Sequence, residues 1–74
     1  MELNKTVSEN IRGVMHSNRE SVQAFCEACG ISKPTFYDKC RGRNSWNIKE
    51  IQFVCERYHV SPERLIAGFK FDFI

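Results

Sequence analysis

Between Ser21 and Gly42 the sequence starts a helix, stops it and starts another with almost no chain in between. Ser21 has a hydroxyl suited to accept from a first-turn N–H, and Val22, Phe25, Cys26 and Cys29 then fall within one stripe of a 3.6-residue wheel. Gly30 supplies the left-handed conformation of a tight stop. Ser32 caps again, with Ile31 before the cap and Phe36 placed to pack against it as a hydrophobic staple. Phe36 and Cys40 make the inward face of this second helix, and Gly42 offers the next cheap left-handed end. The segment 21–42 therefore reads as two short helices joined by a glycine turn.

Further start signals lie on either side. Thr6-Val7-Ser8-Glu9 fits a capping box, and Val7, Ile11, Val14 and Met15 keep helical spacing, which predicts a first helix from about Val7 to Ser17. Asn47 with Glu50 three residues on predicts a fourth, with Ile48, Ile51, Val54, Cys55 and Tyr58 inward. Ser61-Pro62-Glu63 opens a fifth, because proline suits the first helical position and an acid suits the first turn. The expectation is an all-α, five-helix domain over residues 1–68. In the tail, 69–74, the period changes from helical to alternating, with Phe69, Phe71 and Phe73 on one face of a candidate β-strand that docks on the helices or pairs with a second chain.

Seventy-four residues suffice for one small domain, and a chain of this size is often supported by disulfides, a metal or a partner. No apolar run approaches signal-peptide or membrane-helix length, so the chain reads as an intracellular protein whose thiols stay reduced. The cysteines stand as C-x2-C-x10-C-x14-C, each inside an apolar helical stripe. That is neither a compact pair of zinc knuckles nor a redox C-x-x-C at an exposed helix N-terminus, so they read as small buried hydrophobes and no metal or cofactor is expected. No glycine-rich phosphate loop, paired acids or histidine cluster assembles a catalytic constellation, and the chain reads as a non-enzyme.

Charge is localised. Residues 33–49 carry five Lys/Arg against one acid, whereas the stretches on either side each carry three against four. A basic segment in an otherwise near-neutral chain points to an anionic partner met at one face, with nucleic acid the commonest candidate.

The segment 21–42 resembles the helix-turn-helix of the phage lambda repressor and Cro family. The resemblance rests on Phe25-Cys26, on Cys29-Gly30-Ile31-Ser32 around the turn, on Phe36 and Cys40, and on Arg41-Gly42-Arg43. It extends through Ile48 to Tyr58 and Val60-Ser61-Pro62-Glu63-Arg64-Leu65-Ile66, covering roughly residues 7–68. Val22 stands where that family often has glutamine, Pro34 lies in the first turn of the recognition helix, and Lys39 replaces a residue that is frequently apolar. The resemblance implies a cytoplasmic transcription regulator of a bacterium or phage-infected cell, acting as a homodimeric repressor on a two-fold symmetric operator in double-stranded DNA.

Under that reading Ser32, Lys33, Thr35, Tyr37, Asp38 and Arg41 are the candidate base-reading residues. Arg41 suits guanine, Thr35 a thymine methyl and Asp38 the cytosine amino group. Ser21, Gln23, Arg43, Asn44 and Asn47 are the candidate phosphate contacts. Trp46, Phe53, Phe69, Phe71 and Phe73 are candidate dimer or partner contacts. A second expectation, from another class, is a module that binds another transcription regulator and modulates it without reading DNA. The modest net charge of +2, Asp38 on the exposed face and the aromatic candidates Trp46 and Phe53 motivate it.

Overall fold

A computed structural model describes residues 3–67, and the described chain is five helices: α1 (Leu3–Ser17), α2 (Val22–Cys29), α3 (Lys33–Cys40), α4 (Ile48–Tyr58) and α5 (Pro62–Leu65). The tail with Phe69, Phe71 and Phe73 lies outside the described residues. No described helix is long and apolar enough to cross a membrane.

The caps read from the sequence at α2, α3 and α4 form. Ser21 Oγ accepts from Ala24 N at 3.0 Å and Ser32 Oγ from Thr35 N at 3.2 Å. At α4 both halves of the capping box are made, Glu50 N donating to Asn47 Oδ1 and Asn47 N to Glu50 Oε1. Gly30 closes α2 at φ +82°, with its N–H on the Cys26 carbonyl, and Gly42 turns the chain after α3 at φ +85°. His59 ends α4 in the same left-handed region at φ +56°, where the sequence offers no glycine.

Two expectations need correction. α1 begins at Leu3, a full turn before the predicted Val7, so Thr6 lies inside the helix and caps nothing. The extra turn is held by tertiary bonds: Asn4 Nδ2 donates to the carbonyls of Lys39 (3.1 Å) and Asn44 (3.3 Å), and Asn4 Oδ1 accepts from Trp46 N (3.1 Å). Packing overrode a local signal.

The second correction concerns α4. Its predicted inward stripe was centred on Ile51, but Val54 is the fully buried residue, Ile51 is only half-buried and Ile48 is 80% exposed. At about 100° per residue the true inward direction is turned roughly 60° from the predicted one. That rotation turns Ile48 outward and takes Phe53 in. The Phe53 ring meets Phe25 edge-on at 5.7 Å, so this candidate partner contact is half-buried against the core.

The core gathers Val7, Ile11, Val14 and Met15 of α1 around Phe25, Phe36, Val54 and Leu65. Phe25 is its hub, edge-on to Phe36 (5.6 Å), Phe53 and Trp46 (6.3 Å) and stacked on Tyr58 at 6.5 Å. On the far side, Glu20 joins the α1–α2 turn to α4. Its carboxylate accepts from Arg57 Nη2 at 3.1 Å and from the Tyr58 hydroxyl at 2.7 Å, and is paired with Arg57 Nε. The Arg57 bond, then the Tyr58 bond, hold the Glu20 carboxyl below its ordinary value.

A depressed carboxyl favours the folded state above the unfolded pKa of roughly 4.3, and the contribution is lost as pH falls through the folded value. In urea titrations Glu20→Gln should therefore be less stable than wild type at pH 7, with the gap narrowing below about pH 4.

Candidate nucleic-acid interface

The outward face of α3 is set by what its inward face does. Phe36 is fully buried, Cys40 is half-buried, and Lys39 is buried with 6% exposure. The Lys39 ammonium lies 3.0 Å from Glu50 Oε1, donates to the Ser45 carbonyl at 2.9 Å and sits 5.5 Å from the centre of the Trp46 ring. Glu50 is thus shared between the α4 cap and Lys39. One of the five basic residues in 33–49 is therefore an internal bolt between α3 and α4.

Trp46 is the lid of this bolt. Its indole N–H donates to Ser8 Oγ at 2.8 Å, and Ser8 Oγ in turn donates to the Lys39 carbonyl at 3.2 Å. A candidate partner contact thereby becomes a half-buried packing residue tied to α1. Neither the buried serine nor the buried lysine carried a sequence signal beyond the oddity of a lysine at an apolar position.

With those residues withdrawn, Ser32, Lys33, Pro34, Tyr37 and Arg41 are exposed on α3, while Thr35 and Asp38 are half-buried. Thr35 Oγ1 is engaged by Ser32 Oγ at 2.9 Å, which orients both hydroxyls at the start of the helix. Tyr37, 36% exposed, stands edge-on to Phe36 at 5.4 Å and under the Arg41 guanidinium at 5.9 Å.

Asp38 organises the other end of α3. Its carbonyl accepts from Arg43 N at 2.8 Å across the Gly42 turn, and its carboxylate lies 3.9 Å from Arg41 Nη1 and 4.0 Å from Arg43 Nη1. Both guanidinium side chains remain largely solvent-exposed, at 64% and 73%. Exposed pairs of this kind contribute about 0–1 kcal/mol, so Asp38 gathers the two arginines without withholding them from a stronger anion.

The candidate phosphate contacts are more dispersed. Ser21 and Gln23 are exposed at the start of α2, Gln23 donating to Glu27 at 3.2 Å. Asn44 and Asn47 are exposed around the 43–47 loop. The N–H of Asn47 is already spent on Glu50, whose carboxylate occupies the positive end of α4. The start of α2, capped by a neutral serine, carries no such carboxylate in its first turn.

The four cysteines are free thiols. Cys26 is buried, and burial raises its pKa and those of Cys29 and Cys55. Among the described residues no three metal-ligating side chains converge.

A long first helix, a pair of short helices joined by the Gly30–Ser32 turn and a capped fourth helix bracketing one basic edge define a small all-α helix-turn-helix domain. The chain belongs to the BetR domain family, which matches residues 2–70 and is a family of small helix-turn-helix-like domains linked to transcription regulation. No curated protein and no solved structure matches it. The family match supports the resemblance read from the sequence at the level of the helix-turn-helix class.

Proposed function

We propose that this chain is a sequence-specific DNA-binding regulator, a non-enzymatic protein of the bacterial or phage-infected cytoplasm. It inserts α3 into the major groove and represses by occupancy, as a homodimer on a two-fold symmetric operator. The observation that carries the reading is the exposed edge running from Ser32 and Lys33 through Tyr37 to Arg41 and Arg43. It is a short helix of hydrogen-bonding side chains ending in two clustered, solvent-facing guanidinium groups. A major groove about 12 Å wide accepts such a helix, and an arginine there suits the O6/N7 edge of guanine. The family's link to transcription regulation supports the same reading.

Selection from random duplex DNA at roughly 50 and 200 mM salt tests it, with Arg41→Ala beside wild type. The expected result is a two-fold symmetric motif that loses preference at one position per half-site in the variant, at a cost of about 1–3 kcal/mol. Enrichment of nothing at either salt refutes it.

A second reading has one observation in its favour. Ile48 is 80% exposed at the start of α4, beside a hollow lined by Ile51, Gln52, Cys55 and Pro62. An apolar side chain beside an apolar hollow suits a protein partner, and binding of another regulator through this face would be insensitive to salt and to Arg41→Ala.

A further inference from the structure

Helix α4 turns a partly apolar stripe to solvent. Ile48 in its first turn is 80% exposed, and beside it lies a hollow of about 330 Å³ lined by Ile51, Gln52, Cys55, Glu56 and Pro62. At about 100° per residue, Ile48, Gln52 and Cys55 share an arc of roughly 60°. Lys49 and Glu56, both exposed, lie within about 20° of each other along one flank of that arc. A projecting side chain and a hollow on the same face are the two halves of an isologous contact, in which each copy supplies both.

The two flanking charges stand against their own helix. Lys49 sits in the first turn of α4, at the positive end of the helix dipole, and Glu56 in the last turn, at the negative end. Among the described residues neither makes an ion pair, although Glu50 and Arg57 in the same turns do. Within one chain each placement is mildly destabilising. A second α4 laid antiparallel across the stripe brings Glu56 of each copy to Lys49 of the other and sets each charge at a helix end that favours it. A parallel pair would oppose lysine to lysine and glutamate to glutamate.

We propose that this stripe is the two-fold contact between copies of the chain. In it α4 packs antiparallel on α4, Ile48 of each copy enters the hollow beside Cys55 and Pro62 of the other, and Lys49 pairs reciprocally with Glu56. The inference rests on the homodimer reading above and gives it a surface. It places the first turns of the two α4 helices, and the 43–47 loops that lead into them, at opposite ends of the contact. Helix α4 is about 16 Å long, so the two basic edges are held apart, as two half-sites require. One helix face is short of the roughly 800 Å² per partner of a standard interface, so the free dimer dissociates on the order of tens of micromolar.

Sedimentation equilibrium of the full chain without DNA, over roughly 5–500 µM, tests the contact apart from any operator. Lys49→Glu and Glu56→Lys each turn two attractions into two repulsions and should weaken dimerisation about tenfold. The double variant Lys49→Glu/Glu56→Lys should recover the wild-type affinity. Both reversals suit the dipole of α4, so circular dichroism should show all three variants as helical as wild type. A wild type that stays monomeric, single variants that dimerise like wild type, or a double variant no tighter than the singles overturns the contact and leaves the stripe to a different protein. A monomer that still selects duplex DNA overturns the contact alone, whereas a dimer with this charge dependence that selects no DNA keeps the contact and removes the DNA reading.

Discussion

Lys39→Ala should cost about 3–5 kcal/mol, most of what a domain of this size has to lose. The substitution leaves the Glu50 carboxylate facing α3 with its side chain only 12% exposed and no counter-ion at 3.0 Å. It also orphans the Ser45 carbonyl and strips a cation from the Trp46 ring. The expected effect comes from the charge left behind rather than from the value of the pair, so the double variant Lys39→Met/Glu50→Gln should recover most of the loss. Glutamine at 50 keeps the acceptor the α4 capping box needs, and methionine keeps the volume of the lysine stem. Urea midpoints of the three proteins decide the matter: a double variant as unstable as Lys39→Ala would mean that the ion pair itself, and not the stranded carboxylate, sets the energy.

The same residue shows what could be read from the sequence and what could not. Helix starts and stops were legible because a cap is a local event: Ser21, Ser32, Asn47, Gly30 and Gly42 sit where serine, asparagine and glycine chemistry put them. The Thr6 cap failed for the opposite reason, since Asn4 reaches residues some forty positions away and periodicity carries no trace of such a bond. The face of α4 failed by about 60° because a stripe of five apolar residues is wider than the core it meets, and which edge is buried depends on where Phe25 lies.

For the site, the exposed residues of α3 followed from knowing that Phe36 points in. That Lys39 joins it inward, that Trp46 bonds Ser8 and that Asp38 gathers Arg41 and Arg43 are long-range facts. They turn a count of five cations into four at the surface.

That count sets the size of the electrostatic effect on the proposed DNA complex. Lys33, Arg41, Arg43 and Lys49 are exposed, and Asp38 opposes them, leaving about three net positive charges per chain in this segment. At a slope of roughly −0.9 per phosphate neutralised, two chains on one operator give about −5 in log K against log salt. Affinity should then fall on the order of a thousandfold between 50 and 200 mM salt. Arg43→Ala should flatten the slope by about 0.9 per chain and weaken binding to all sequences alike, because a phosphate contact carries no base information. Asp38→Asn should change the slope by a similar amount in the other direction, tightening binding to random duplex while weakening any preference for cytosine that its carboxylate reads. Lys39→Met/Glu50→Gln should leave the slope unchanged, since that pair faces inward and meets no phosphate. Fluorescence anisotropy titrations of the four proteins at several salt concentrations measure all three differences. A slope near zero in wild type would remove DNA as the partner of this edge, whereas a wild-type slope that Arg43→Ala fails to alter would move the phosphate contact elsewhere on the basic segment.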